Sequence, residues 1–116
     1  MPRYLISFPS EAMAHISAEE LPAVGEAAHA VVQEAMDAGV WVFGGGLSED
    51  VDPVMVDADG TITAGTYPQT EELDGGFTVL ELPSREAALE WAAKIATACR
   101  CAQEIREFMP DPAVGN

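Results

Sequence analysis

The chain has few basic residues and no long apolar run, and each shortage excludes a class of protein. Only five of its 116 residues are Lys or Arg, against 20 Asp and Glu, so the formal net charge is -15. Because nucleic-acid binding needs a basic surface that displaces phosphate counterions, we expect no DNA or RNA partner. The same negative field repels anionic membrane surfaces, and no apolar stretch is long enough to span a bilayer, so we expect no membrane partner either.

Cysteine is also scarce. Cys99 and Cys101 are too few for a disulfide framework, and they supply only half of a zinc site. The apolar run after Met1 is too short for a signal peptide. We therefore expect a cytoplasmic protein with no metal and no cofactor. The length fits one domain over residues 1–116, of which residues 110–116 form a C-terminal tail.

Hydrophobic periodicity predicts two helices set among strands. The first helix begins at Pro22, which suits a first helical position, and ends at Gly39 in a left-handed cap. Ser84 caps the second helix, and the Asp59-Gly60 pair indicates a hairpin turn. The predicted order is β-α-β-β-β-α-β. Helices separated by antiparallel hairpins are typical of an α+β sandwich of the ferredoxin-like kind.

The segment Val40–Phe43 is apolar on both faces of a predicted strand. Such a strand needs cover on both faces, and the helices of this chain can supply only one. A second subunit is the simplest supplier of the other cover, so we expect a homodimer. The glycines at 44–46 lack the Lys and the helix of a phosphate-binding loop, and we interpret them as a flexible strand end.

Several ordered segments carry a family resemblance. They are Ala38–Leu47, the turn at Asp59-Gly60, Thr63–Glu72, Gly75–Val79, Ala87–Ala92 and Glu104–Arg106. In this order, over nearly the whole chain, they resemble the YCII-related family of small bacterial proteins, often called DGPF-domain proteins. The resemblance implies a ferredoxin-like unit that dimerises by pairing its sheets into an α+β barrel.

The chain departs from the family's Asp-Gly-Pro-Phe loop. Ala64-Gly65-Thr66-Tyr67 stands in its place, so Ala64 replaces the Asp, and Glu71 occupies a position where the family has Lys. Some members of the wider family carry a His–Asp pair suggested to be catalytic, and His29 falls near the position of that His. A reaction that used the carboxylate of the loop Asp would lack that group in this chain.

The candidate site residues combine one histidine, aromatic walls and a polar loop. His29 is the candidate catalytic residue, a general base beside a cleft, and its alternative interpretation is a rim histidine with a satisfied hydrogen bond. Arg106 pairs with a ligand carboxylate or simply neutralises a neighbouring acid. The candidate ligand-binding residues are Trp41, Phe43, Thr66, Tyr67, Thr70, Glu71, Glu72 and Arg106.

Two functions from different classes remain open. The first is a non-catalytic or accessory homodimer that binds a small molecule, and the loss of the loop Asp favours it. The second is an enzyme that acts by acid–base chemistry on a small organic molecule in the barrel cleft. A concave, partly apolar pocket that brings His29 together with a carboxylate would favour the enzyme.

Overall fold

The computed structural model describes all 116 residues, Met1–Asn116. Its main elements are β1 (Arg3–Phe8), α1 (Leu21–Asp37), β2 (Trp41–Gly46), β3 (Val54–Val56), β4 (Ile62–Ala64), β5 (Gly76–Glu81), α2 (Arg85–Cys99) and β6 (Glu104–Glu107). Short 3-10 helices cover Ser10–Met13, Pro68–Thr70 and Pro112–Val114. Four strands lie between the two helices. The predicted order had only three strands there and was wrong by one strand. The hairpin at Asp59-Gly60 supplies two strands, β3 and β4, and β2 and β5 flank them.

The strands form two sheets. The larger has the order β2-β5-β1-β6, with every neighbouring pair antiparallel, and the smaller is the β3–β4 hairpin. Each helix connects two strands that are separated by a third, as in a split β-α-β unit. The chain therefore has the α+β class that was expected, in an arrangement compatible with a ferredoxin-like fold.

Local side-chain chemistry sets the helix ends. Ser17 and Glu20 form a hydrogen-bonded turn that leads into α1, so the helix begins at Leu21, one residue before the predicted Pro22. Gly39, with φ of 74°, follows the end of α1 in the left-handed region, as predicted. Ser84 caps α2 as predicted, because its hydroxyl accepts from the Ala87 amide at 3.2 Å.

The core lies between the helices and one face of the larger sheet. Tyr4, Ile6 and Leu80 point to this face and are at most 1% exposed. The helices meet them largely with small residues, among them Ala35, Ala88 and Ala92. Full burial of each large apolar side chain stabilises the fold by about 1.5–3 kcal/mol. No helix in the chain combines the length and the apolar composition that a membrane span requires.

Strand β2 corrects one prediction. It starts at Trp41 and continues through Gly44, Gly45 and Gly46, which were expected to form a flexible strand end. These glycines pair in register with Thr78, Phe77 and Gly76 of β5. At Gly44 a Cβ atom would lie 2.7 Å from the Phe77 carbonyl oxygen, so β5 sits where a side chain would stand. The glycines therefore belong to the sheet.

Candidate functional site

A cavity of about 720 Å³ lies between the helices and the larger sheet, at the glycine-rich end of β2. Seventeen of its 28 lining residues are hydrophobic. Binding sites for small organic molecules commonly have volumes of about 300–1,000 Å³ and mostly apolar walls. The cavity therefore has the size and character of a small-molecule site.

The cavity exists because the facing side chains become small towards one end of the sheet. Tyr4, Leu80 and Trp41 are cross-strand neighbours on the helix-facing side of the sheet. Four residues away along β5, Gly76 lies opposite Gly46 on the same side. A side chain at Gly76 would place its Cβ 2.6 Å from the Phe8 ring. Among the α1 residues that line the cavity, Ala28 and Ala35 have short side chains. The space between the layers is therefore left unfilled.

One end of the cavity is aromatic and aliphatic. Trp41 comes from β2, and Trp91 and Ile95 come from α2. The Lys94 ammonium lies 4.8 Å from the centroid of the Trp91 ring. Cys99 also lines this part, and burial raises the pKa of its thiol, with a smaller contribution from Cys101. The Cys99 thiol is therefore protonated near neutral pH, when it is a poor nucleophile.

The other end of the cavity carries polar groups. Asp74 joins the start of β5 to the 3-10 helix at Ser10–Met13, because its carboxylate accepts from the Ser10 amide at 3.0 Å and from the Ser10 hydroxyl at 2.6 Å. These hydrogen bonds, the hydroxyl first and then the amide, hold the pKa of Asp74 below its usual range. Glu11 and Glu49 line the same cavity. Asp74 is therefore an ionised and positioned carboxylate.

His29 lies on α1, is exposed and lines the cavity. Its imidazole makes no hydrogen bond to another residue of the chain, and the choice between a general base and a rim histidine stays a prediction. No carboxylate oxygen lies within 4.0 Å of its ring nitrogens. The cavity thus holds the predicted histidine together with carboxylates that were not predicted, and His29 forms no direct pair with any of them.

Of the predicted apolar walls, only Trp41 lines the cavity. Phe43 points to the opposite face of the sheet and is 71% exposed. The cause is an irregularity between Trp41 and Phe43: Trp41 pairs with Leu80, but Phe43 pairs with the next residue, Val79. The extra residue of this bulge reverses the side-chain alternation of the strand. Tyr67 lies outside the cavity, in an exposed loop.

The predicted polar loop does not reach the cavity either. The hydroxyls of Thr66 and Thr70 both donate to the Tyr67 carbonyl oxygen, at 2.8 and 3.4 Å, and so stabilise the loop itself. Glu71 is exposed and lines neither the cavity nor the depression described next. The structure therefore separates most of this loop from His29 and Trp41.

Glu72 and Arg106 line a second, smaller depression of about 190 Å³, on the sheet face that the helices leave open. Arg106 donates to the carboxylate of Glu104, two residues away on the same strand, at 2.8 Å. This contact fits the interpretation in which Arg106 neutralises a neighbouring acid, and pairing with a ligand carboxylate stays a prediction. The depression is small, and only two of its eight lining residues are hydrophobic.

Sequence reasoning missed the segment that forms the polar end of the cavity. Residues 10–21 had no assigned structure, yet the Ser10–Met13 helix and the buried Ile16 form part of the cavity wall. The spacing of Met13 and Ile16 was the available signal. The Ser10–Asp74 contact joins residues 64 positions apart, and nothing in the local sequence indicates it.

Comparison with known proteins gives one match. A protein-family model described as the YCII-related domain matches residues 3–110. No curated protein matches the chain. The matched range contains both helices, all six strands and the whole cavity lining.

Proposed function

The chain belongs to the YCII-related domain family, and on that premise we propose that it is a homodimer whose subunits each bind a small organic molecule. The observation that carries the proposal is the cavity of about 720 Å³ between the helices and the larger sheet. In this proposal the protein has a non-catalytic or accessory role: it binds the ligand and does not transform it.

Two features support binding without catalysis. The cavity has an apolar end that can exclude water from a ligand, which is what affinity for organic molecules needs. His29, the residue most suited to proton transfer, has no carboxylate within 4.0 Å that would orient its ring. Ala64 stands where the family loop has Asp. Of the carboxylates in the segment from Ala64 to β5, only Asp74 lines the cavity, and Ser10 already engages it.

An enzyme acting by acid–base chemistry is the second candidate function, and one observation favours it. His29 lines the same cavity as Glu11 and Asp74, so a bound substrate would meet an imidazole and carboxylates together. A ligand that the wild type transforms and His29→Ala only binds, as followed by mass spectrometry, would favour the enzyme over the binding protein.

Uncovered apolar area supports the homodimer. The sheet face opposite the helices presents Leu5, Phe43, Phe77 and Val79, and none of these four is buried. The chain exposes 7879 Å², whereas a monomeric protein of 12.3 kDa exposes about 6,100 Å². The excess of about 1,800 Å² per chain exceeds the roughly 800 Å² that each partner buries in a standard interface.

The β3–β4 hairpin contributes to this excess. Val54, Val56 and Ile62 lie on one of its faces and are 55%, 65% and 67% exposed. An isolated two-stranded hairpin is marginally stable in water. The radius of gyration, 15.7 Å, also exceeds the value of about 13 Å for a compact chain of this length. A second copy that covers the open face and the hairpin accounts for both observations.

The binding proposal is tested with an uncharged apolar probe, 4-phenylbutan-1-ol, and the fluorescence of Trp41 and Trp91. We expect a saturable change in emission and a rise in melting temperature, because a ligand that binds only the folded state stabilises it. Ala28→Phe, which fills the cavity, weakens binding at least tenfold. Ala27→Phe is the matched control, because Ala27 is exposed and does not line the cavity. We expect this variant to keep the wild-type affinity for the probe.

Two results would contradict the binding proposal. One is the absence of any saturable response to the probe in a folded wild-type protein. The other is equal affinity of wild type and Ala28→Phe, which would place the probe outside the cavity. Circular dichroism of both variants checks that each is folded before the affinities are compared.

A further inference from the structure

We infer that the ligand of the cavity is an apolar molecule that carries a protonated amine, and that the cavity discriminates against carboxylates of the same shape. This inference rests on the proposed binding function and adds the chemical class of the ligand. It comes from the distribution of charge along the cavity, whose two ends differ in polarity.

The charged groups at the cavity are nearly all of one sign. Glu11, Glu49 and Asp74 line it, and no Lys or Arg does. Four of the five basic residues are engaged in ion pairs: Arg3 with Glu81, Lys94 with Glu34, Arg100 with Glu20 and Arg106 with Glu104. His29 is therefore the single lining side chain that can carry a positive charge. The cavity offers an anionic ligand no Lys or Arg partner.

The three carboxylates come from segments that the fold brings to one end of the cavity. Glu11 follows Ser10, whose amide and hydroxyl both donate to Asp74. Glu49 lies two residues after Leu47, and the Leu47 amide donates to the carbonyl of Gly75, the neighbour of Asp74, at 2.9 Å. These segments meet where β2 ends and β5 begins. They form the acidic end of the cavity.

The opposite end of the cavity is apolar. Leu80, Trp91 and Ile95 line it, and Leu80 is completely buried. A ligand that fills both ends needs an apolar body and a cationic head. Burial of the body stabilises binding through the hydrophobic effect. The three acidic residues are exposed, so their carboxylates attract the cationic head by a Coulomb interaction that salt screens. The net charge of -15 adds to the attraction at longer range.

The test compares three probes with one apolar body: 4-phenylbutan-1-amine, 4-phenylbutan-1-ol and 4-phenylbutanoate. Tryptophan fluorescence titrations of the full chain at pH 8 give the affinities. We expect the order amine, alcohol, carboxylate, with at least a tenfold difference between the first and the last. Raising the ionic strength from 0.02 to 0.5 M is expected to reduce this ratio and to leave the affinity for the alcohol nearly unchanged, because salt screens charges only.

Matched variants separate the local carboxylates from the overall charge. The double variant Glu11→Gln with Glu49→Gln is expected to lower the amine-to-carboxylate ratio at least threefold. The control, Glu19→Gln with Glu90→Gln, removes the same charge from two exposed residues that do not line the cavity, and it should keep the ratio. Asp74 is left intact because it holds Ser10 in place.

The outcomes distinguish this inference from the proposed function. If the alcohol binds in the cavity and the carboxylate binds as tightly as the amine, the inference is overturned and the binding function stands. If both double variants lower the ratio equally, the local carboxylates do not select the ligand and the inference also fails. If no probe binds, the proposed function itself fails.

Discussion

The two faces of the larger sheet are built from the same strands but differ in how far their side chains are buried. On the face towards the helices, Tyr4, Ile6 and Leu80 are at most 1% exposed. On the other face, Leu5 and Val79 are only partly buried, and Phe43 is 71% exposed. The first face obtains its cover from α1 and α2. No helix of this chain covers the second.

This difference separates what one chain can stabilise alone from what it leaves to a partner. Side chains alternate along a strand, so every strand that is apolar on both faces has half of its apolar side chains pointing away from the helices. In β2 the bulge between Trp41 and Phe43 sends one large aromatic residue to each face. The helix-facing residue lines the cavity, and the other lies on the face that we propose as the dimer interface.

Removing a helix-facing side chain should have the largest effect on stability. Leu80→Ala deletes a completely buried side chain and is expected to lower the free energy of unfolding by about 2–5 kcal/mol. Val79→Ala, the adjacent residue on the open face, should cost less. Urea unfolding at one fixed protein concentration measures both, since the stability of a dimer depends on concentration. Equal losses would remove the distinction between the two faces.

A charge on the open face should break the dimer and leave the subunit folded. We expect Phe43→Glu to raise the dissociation constant of the dimer about 100-fold, which is the range of a central interface residue. Val114→Glu is the control, because Val114 is 67% exposed in the C-terminal segment. Sedimentation velocity measures both variants. Unchanged association of Phe43→Glu would place the interface elsewhere.

The helix cap offers a smaller test of the covered face. Ser84→Ala removes the hydroxyl that accepts from the Ala87 amide at the start of α2, and it should cost about 1 kcal/mol. Ser48→Ala removes a hydroxyl that accepts from the exposed Asp50 amide outside the helices, and its effect should stay within about 0.5 kcal/mol. Thermal unfolding compares the two. A larger loss of stability in Ser48→Ala than in Ser84→Ala would contradict the view that the helix-covered side carries most of the stability.

Restoring the family's loop carboxylate should have the smallest effect. Ala64 is the last residue of β4 and is exposed, so Ala64→Asp is expected to change the free energy of unfolding by no more than about 0.5 kcal/mol. The new carboxylate lies outside the cavity lining, so affinity for the uncharged probe should also stay the same. A loss of more than about 1 kcal/mol would mean that Ala64 is packed in the assembled protein.

Much of the fold follows from local sequence signals. The helix periodicity, the Gly39 terminus and the Ser84 cap are local, and the turn between β3 and β4 contains Gly60 at φ of 88°, as the Asp59-Gly60 pair predicts. The family resemblance was confirmed over residues 3–110. The extension of β2 through its glycines could not be predicted locally, because it depends on pairing with Gly76 and its neighbours far along the chain.

The site was less predictable than the fold. His29 and Trp41 line one cavity, and their roles as a base and an apolar wall stay predictions. Phe43 was grouped with Trp41 because residues two apart share a face of a regular strand, and the bulge breaks that rule. The acidic end of the cavity depends on the contact between Ser10 and Asp74 and on the pairing of Leu47 with Gly75. Both join distant segments, so periodicity and turn signals do not reveal them.

The molar mass in solution tests the central claim most directly, namely that a second copy of the chain covers the open sheet face. Size-exclusion chromatography with multi-angle light scattering, at a protein concentration of 10 μM, is the measurement. The account predicts about twice the chain mass of 12.3 kDa for the wild type and a mass near 12.3 kDa for folded Phe43→Glu. A wild-type mass of 12.3 kDa at this concentration would contradict the account.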